Sequence, residues 1–266
     1  MPKPKIEPRL PKGMRDFLPQ EMIRREYVFG VVREVFHLYG FEPLQTPVLE
    51  LRETLMGKYG EDAEKLIFNA QHPGGKEELA LRYDLTVPLA RVVGQYPNEI
   101  ALPFKRYQLS PVWRAERPQR GRYREFYQCD AEIVVIVTTL RRLGFTQFTV
   151  QINNRKLLTG IGQFAGVDGA LLAELYRSID IFDNVCADGV REELIRRGLP
   201  QEVVDRVMAL ITVSLPRGEK LGYLDDALGS NPIAQEAIRE QRELDAYLAS
   251  ANVPEAITEF DKTIVR

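Results

Sequence analysis

The sequence predicts an α+β protein with a mostly antiparallel sheet, flanking helices and a helical insertion. Three observations predict this class. Residues 20–39 carry apolar side chains at helical spacing and are followed by Gly40. Residues 104–132 form two β-rich runs around a Pro/Gly turn that is crowded with arginine. Over residues 168–251 the strand signals disappear, and Leu, Ala, Arg and Glu dominate.

The composition limits the function classes. The chain has 266 residues, of which 44% are apolar, enough for one large or two modest domains. Its formal net charge is only −2, so any nucleic-acid surface must be local. Cys129 and Cys186 lack metal-ligand spacing, so neither a disulfide nor a zinc site is expected. We expect a soluble cytoplasmic protein, because neither a signal-peptide core nor a membrane-spanning run is found.

The first elements are a long helix and a strand. The helix is predicted over residues 20–39, with a broad apolar stripe. The stripe contains Ile23, Tyr27, Val31 and Val35. Residues 41–50 predict a strand, because apolar side chains alternate there, and two prolines indicate an edge or interface position.

Two more strands and a helix are predicted before the arginine-rich segment. The strands lie around residues 66–68 and over 79–86, with a turn at 72–75 between them. Thr86 fits the N-cap of the following helix, and Pro88 falls in its first turn.

The arginine-rich segment predicts a hairpin over residues 104–134 with a basic tip. Its arginines are Arg106, Arg114, Arg117, Arg120, Arg122 and Arg124. Guanidinium groups suit planar, two-pronged capture of phosphate or carboxylate, so the hairpin is interpreted as a polyphosphate clamp. Taken alone, the cluster is also compatible with a solvated, salt-bridged hairpin.

The remainder of the chain is mainly helical. A helix over residues 135–143, a strand over 148–152 and a helix from Arg155 precede the helical module. The breaks within the module are predicted at residues 198–200, 215–218 and 229–232. Strand character resumes over residues 260–266.

Several of these segments together resemble histidyl-tRNA synthetase, a class II aminoacyl-tRNA synthetase, over nearly the whole chain. Residues 11–19 resemble the N-terminal signature of that family, and the helix over residues 20–39 with the strand that contains Pro47 resembles motif 1, the dimerisation element. Residues 104–132 resemble motif 2, which is a long and specific match, and residues 81–88 resemble the segment that grips the histidine amino group.

The resemblance implies a class II fold and a domain organisation. The implied domains are a catalytic core over residues 1–167, a helical insertion over 168–251 and a return to the core over 252–266. The implied activity is ATP-dependent conversion of histidine to histidyl-adenylate, followed by transfer to tRNA(His). A homodimer through residues 20–50 is implied as well. Contact of the insertion with tRNA and an ordinary solvated helical surface are both left open.

The resemblance also assigns residues to ATP. Arg114 matches the motif 2 arginine that contacts the α-phosphate, where negative charge grows during adenylation. Glu116 matches the residue at the adenine end, and Arg122 matches an ATP-holding arginine. Arg266 matches an arginine that replaces a metal near the α-phosphate. Mg²⁺ is therefore expected on ATP, with no metal site made by the protein alone.

Four residues match the histidine pocket. Asp84 and Thr86 match the ammonium-binding pair, although an acid in a turn and a threonine before a helix also serve as caps. Gln128 and Glu132 match the other pocket side chains, and in a regular strand they would share one face. Gln128 could instead pair across the sheet, and Glu132 could belong to the following helix.

Two departures from the family are expected to weaken adenylation by this chain. About a dozen residues of the family pattern are missing after Glu132, where a longer connection is expected. The chain also stops at Arg266, before motif 3 and the anticodon-binding domain. Two alternatives stay open: a synthetase-like regulatory subunit of ATP phosphoribosyltransferase, and a non-catalytic dimer that binds histidine or ATP.

Overall fold

The chain divides into two compact units, Met1–Gly144 and Phe145–Arg266. The computed structural model describes residues 7–56, 64–167 and 169–265. The division differs in position from the predicted boundary at 167/168, because residues 145–167 lie in the same unit as the helices that follow. The domain organisation implied by the family resemblance stays a prediction.

The first unit combines helices with short strands. Its described helices are α1 (Pro19–Leu38), α2 (Arg52–Leu55), α3 (Thr86–Gln95) and α4 (Ile133–Arg142). Its described strands are β1 (Glu42–Pro43), β2 (Leu49–Leu51), β3 (Asn69–Ala70), β4 (Leu79–Leu81), β5 (Arg106–Tyr107), β6 (Ser110–Trp113) and β7 (Glu125–Gln128).

These strands form three small sheets. Strands β2, β4 and β3 form an antiparallel sheet in that order, and β6 pairs antiparallel with β7. Strand β1 pairs parallel with β5. The predicted α+β class is therefore confirmed, with antiparallel pairing in the majority.

The core of the first unit joins α1, β5 and α4. Its buried side chains are Val35, Phe36, Phe41, Tyr107 and Val135. The rings of Phe36 and Tyr107 stack with centroids 4.8 Å apart. The amides of Gly40 and Phe41 donate to the carbonyls of His37 and Phe36, so the helix stops at the predicted glycine, whose φ is +73°.

The second unit is a helical module with one parallel strand pair. Its described helices are α5 (Arg155–Ala165), α6 (Ala170–Ile179), α7 (Phe182–Arg196), α8 (Gln201–Ile211), α9 (Arg217–Leu228) and α10 (Pro232–Ser250). Strands β8 (Val150–Ile152) and β9 (Thr258–Phe260) pair in parallel. The breaks between α7, α8, α9 and α10 overlap the predicted ones, although α9 already begins at Arg217, within the break predicted over residues 215–218. Helices α5 and α10 approach closely at Gly160, where a Cβ would lie 2.6 Å from that of Ala234.

Several predicted strands differ from the structure. The strand predicted over residues 79–86 is limited to β4, Leu79–Leu81. The strand predicted over residues 41–50 is interrupted, because only β1 and the start of β2 pair with other strands. Between them, the buried hydroxyl of Thr46 accepts a hydrogen bond from Nε2 of Gln108. Residues 66–68 precede β3 and are not a strand themselves. The strand predicted over residues 260–266 lies earlier in the chain, because β9 ends at Phe260. Over the described residues 261–265 the chain turns instead, and Oδ1 of Asp261 accepts hydrogen bonds from the amide and hydroxyl of Thr263.

No described helix has both the length and the apolar character required to cross a membrane.

Candidate active site

The arginine-rich hairpin is an antiparallel ribbon of β6 and β7. Ser110 lies opposite Gln128, and Trp113 lies opposite Glu125. Beyond the strands, a bridge between Gln119 and Arg122 closes the tip. Gly121 has a φ of +79°, a conformation that glycine adopts without strain. The predicted hairpin is confirmed.

Arg114 lies immediately after β6 and is held from several sides. Its amide donates to the carbonyl of Arg124 at 2.9 Å, and its Nε donates to the carbonyl of Tyr83 at 3.3 Å. Its guanidinium carbon lies 4.4 Å from the ring centroid of Tyr83 and 5.1 Å from that of Phe126. Packing against two aromatic rings fixes the guanidinium before any ligand binds.

Glu116 and Arg122 form an ion pair across the hairpin. The Glu116 side chain is largely buried, while that of Arg122 is more than half exposed. Arg124 donates from Nε to the carbonyl of Glu116 at 2.9 Å, so the backbone on which Glu116 sits is also fixed. The predicted ATP-binding set therefore shares one end of the ribbon.

The sequence predicted that all six arginines surround the tip of the hairpin, but one of them, Arg106, does not. Arg106 lies in β5, and its side chain is buried. Its Nη2 is 3.8 Å from Oδ2 of Asp130. Burial lowers the pKa of Arg106 below its ordinary value. Arg106 therefore belongs to the interior of the first unit.

Asp84 caps helix α3. Its Oδ1 accepts hydrogen bonds from the amides of Thr86 and Val87, both at 3.1 Å. The prediction that Thr86 is the N-cap is wrong, because Thr86 is the first residue of the helix and its exposed side chain makes no capping bond. The interpretation of Asp84 as a capping acid is confirmed, whereas its proposed ammonium-binding role stays a prediction.

Gln128 and Glu132 do not share a strand face. Strand β7 ends at Gln128, and Glu132 is the exposed N-cap residue of α4, without a side-chain capping bond. The expectation of a common face is wrong because the chain leaves the strand between them. Gln128 also lies four residue pairs along the ribbon from Arg114, or about 13 Å at the usual rise per residue.

The site residues are thus brought together only in part. Arg114, Glu116 and Arg122 lie at one end of the ribbon, and the Tyr83 contact links Arg114 to the chain beside Asp84. Gln128 lies at the other end of the ribbon. Arg266 lies outside the described residues. Within the described ranges, no group of three or more His, Cys, Asp or Glu side chains could hold a metal ion.

The sequence analysis did not predict the contact between the N-terminal segment and the ribbon. Arg124 receives the N-terminal segment: its amide donates to the carbonyl of Gly13 at 2.8 Å, and its Nη1 donates to that of Lys12 at 3.4 Å. Gly13 has a φ of +84°. The sequence matched residues 11–19 to the family's N-terminal signature but gave no sign that Gly13 would contact the ribbon at Arg124.

Solved structures resemble this chain over almost its full length. Histidyl-tRNA synthetase from Nostoc sp. PCC 7120 matches with a TM-score of 0.84 and 25% identity over 98% of this chain and 62% of its own. A protein from Bacillus halodurans C, described as an ATP phosphoribosyltransferase regulatory subunit/histidyl-tRNA synthetase, matches with a TM-score of 0.80, also at 25% identity, over 99% of this chain and 70% of its own. Together with the motif 2 ribbon, these matches define a class II aminoacyl-tRNA synthetase fold.

A sequence model of the family Histidyl-tRNA synthetase matches residues 13–266, and the chain belongs to that family. Histidine–tRNA ligase from Bacteroides fragilis strain YCH46 is 39% identical over 98% of the chain, and that from Aeropyrum pernix is 43% identical over 97%. The chain spans 64% and 61% of the lengths of these two relatives.

Proposed function

We propose that this chain carries the part of a histidine–tRNA ligase that binds ATP and histidine and forms histidyl-adenylate. The observation that carries the proposal is the preformed setting of Arg114, which is hydrogen-bonded to Tyr83 and packed between two aromatic rings. Transfer of the histidyl group to tRNA(His) is the second step of the same proposal.

Arg114 would stabilise the transition state of adenylation. When the histidine carboxylate attacks the α-phosphorus of ATP, negative charge accumulates on the phosphoryl oxygens as pyrophosphate leaves. A guanidinium that is already fixed does not have to reorganise as that charge develops. Arg122 and Glu116 would hold the nucleotide beside it, Arg122 through the phosphates and Glu116 at the adenine end. Mg²⁺ bound with ATP would neutralise phosphate charge.

Histidine would be recognised by Asp84, Thr86, Gln128 and Glu132. Asp84 is fixed by its two capping bonds, so its carboxylate is oriented before an ammonium group arrives. Glu132 stays in the proposal as an exposed acid at the start of α4. Arg266 is proposed as a second cation near the α-phosphate.

Two further parts of the proposal concern partners. The helical module of the second unit is proposed to contact tRNA, on the strength of the family. A homodimer is proposed through α1 and β2, because apolar side chains on both elements are exposed. These side chains are Ile23, Tyr27, Val28, Leu38, Leu49 and Leu51.

Pyrophosphate exchange dependent on L-histidine tests the proposal. We expect the chain to exchange label into ATP only when histidine is present, and Arg114→Ala to reduce the exchange rate at least about 100-fold, the scale for losing one preorganised donor. Arg120→Ala is the matched control, because Arg120 is an exposed arginine of the same hairpin tip. Exchange that is unchanged by Arg114→Ala would refute the role of Arg114. Absence of exchange together with absence of ATP binding in calorimetry would refute the proposal itself.

A regulatory subunit is the alternative function, and one observation supports considering it. The description of the Bacillus halodurans protein names both a regulatory subunit and a synthetase. A regulatory subunit would bind histidine and fail to exchange pyrophosphate, whereas a synthetase does both. The complete set of Arg114, Glu116 and Arg122 on the ribbon and the helical module of the second unit favour the synthetase.

A further inference from the structure

Among the described residues of the first unit, two buried polar atoms beside one carboxylate lack a hydrogen-bond partner. They are Oε1 of Gln128 and Nη1 of Arg106. The carboxylate is that of Asp130, which accepts from Nε2 of Gln128 at 2.8 Å through Oδ1 and lies 3.8 Å from Nη2 of Arg106 through Oδ2. Buried polar atoms are satisfied in the great majority of cases, so such a pair indicates that a partner is missing.

The orientation of the Gln128 carboxamide follows from the chemistry of Asp130. A carboxylate accepts hydrogen bonds and has none to donate, so the NH₂ group of Gln128 must face it. The carbonyl oxygen Oε1 must then point the other way. Asp130 therefore decides which end of the Gln128 amide is presented away from the strand.

Arg106 lies at ion-pair distance from Asp130. Its guanidinium is buried in β5, and Asp130 is its ion-pair partner. Burial also raises the pKa of the intervening Cys129 thiol to about 11, so the thiol is neutral near pH 7 and does not compete as an anion for the guanidinium. Asp130 thus receives one hydrogen bond from Gln128 and one electrostatic contact from Arg106.

The buried carbonyl oxygen of the Gln128 amide has a defined requirement. An acceptor that is buried without a partner costs about 1–3 kcal/mol, and that cost is recovered only when a donor arrives. The group that completes Gln128 must therefore bring an N–H or O–H. A ligand that presents only acceptors there would leave two acceptors facing each other.

We propose that Asp130, supported by Arg106, is a positioning residue that turns Gln128 Oε1 toward the bound amino acid and makes the site select a ligand with an N–H donor. The identity of that ligand as histidine rests on the proposed function. The orientation of the Gln128 amide does not depend on the proposed function, because Asp130 sets that orientation before any ligand binds.

The test compares Asp130→Ala and Arg106→Met with the control Glu42→Ala. Glu42 is an exposed acid directly across the strand pair from Arg106, so the control removes a nearby negative charge without touching Gln128. In ¹⁵N-labelled, ligand-free protein, the side-chain amide signals of Gln128 are assigned by their loss in Gln128→Leu. We expect Asp130→Ala to shift these signals strongly, Arg106→Met to shift them less, and Glu42→Ala to leave them in place.

Calorimetric titration with L-histidine and with ATP gives the second measurement. We expect Asp130→Ala to weaken histidine binding by about tenfold, the scale of one hydrogen bond, and to leave ATP binding unchanged. Unchanged histidine affinity, or an equal loss for both ligands, would overturn the proposal. If the unmodified chain binds no histidine, the proposed function is refuted. The positioning role is tested separately by the amide signals, and it is refuted if the Gln128 signals do not shift in Asp130→Ala.

Discussion

Arg82 donates a hydrogen bond from its Nε to the carbonyl oxygen of Pro111, in strand β6 of the ribbon, at 2.9 Å. The Arg82 side chain is fully buried. Its Nη1 donates to the carbonyl of Thr46 at 2.8 Å and to that of Pro47 at 3.3 Å. One guanidinium thus joins the segment after α1, the segment after β4 and strand β6. Burial lowers the pKa of Arg82, and the charge of Glu50 opposes that shift.

Arg82→Met is expected to destabilise the first unit by about 3 kcal/mol, because buried carbonyls lose their donor. The control is Arg52→Met, which removes an exposed pair with Glu78 and should cost less than about 1 kcal/mol. Urea unfolding followed by tryptophan fluorescence measures both variants. Trp113, the single tryptophan, has its ring 5.8 Å from the Arg82 guanidinium and reports on this unit. Equal unfolding midpoints for the two variants would contradict the expectation.

The sequence predicts the helices of the second unit and the ribbon because their signals are local. Helix breaks at glycine and proline, and two β-rich runs around a turn, are visible within a few residues. The first unit is harder, because its strands are two to four residues long and depend on distant partners. Thr46 is one example: its inward position depends on Gln108, which lies 62 residues further along the chain.

The candidate site, like the fold, was only partly predictable from the sequence. The family resemblance of the ribbon assigned Arg114, Glu116 and Arg122 to ATP, whereas Asp130 carried no signal of its own. Its proposed role follows from its hydrogen bond with Gln128 and from the Oε1 of Gln128, which has no partner among the described residues. Arg106 was interpreted as part of the basic tip because proximity in sequence does not show which arginine is buried.

Gly13→Ala is expected to loosen the contact between the N-terminal segment and the ribbon. A Cβ there would lie 2.7 Å from Cγ of Pro118 and 2.9 Å from Cγ of Arg124, and the φ of +84° adds backbone strain. Gly121→Ala is the matched control, since its φ is +79° but no atom lies within 4 Å of its Cβ. Both variants carry strain of about 1 kcal/mol, and Gly13→Ala carries about 1–3 kcal/mol more for the overlap. Unfolding of both variants, measured through Trp113, should show that difference; equal losses would refute the steric contact.

Ile23→Glu is expected to disrupt the proposed homodimer. Ile23 and Tyr27 are 69% and 63% exposed on α1, one turn apart, so they contribute little to the fold of the isolated chain. A carboxylate at position 23 would have to be buried in an apolar interface. Sedimentation equilibrium should show a lower dimer fraction for Ile23→Glu, with the thermal midpoint of a dilute, monomeric sample within about 2 °C of the parent. Glu26→Gln is the control on the same helix, and equal dimer fractions for all three proteins would exclude this surface as the interface.

Lys262 is expected to give the second unit an unusual dependence on alkaline pH. The residue is 3% exposed, and its Nζ donates to the carbonyl of Val213 at 2.8 Å. Burial, reinforced by the charge of Lys220, lowers its pKa to about 8. In the unfolded chain an ordinary lysine pKa of about 10.4 applies, so between these values the unfolded state binds more protons than the folded state. The free energy of unfolding should therefore rise with pH from about 8 to about 10.4, because the folded state no longer has to bury a charge.

Lys262→Met tests this linkage, since it removes the titrating group and fills much of the same space. The difference in unfolding free energy between the parent and Lys262→Met should change by on the order of 3 kcal/mol between pH 7.5 and 10.5, with the parent gaining relative to the variant. Effects of other groups cancel in this comparison. Lys220→Met should reduce the pH dependence of the parent by a smaller amount, because burial is the larger cause of the shift in the Lys262 pKa. Urea unfolding of the second unit, followed by far-UV circular dichroism at several pH values, measures all three proteins. Parallel pH curves for the parent and Lys262→Met would mean that Lys262 is charged in the folded state as readily as in water.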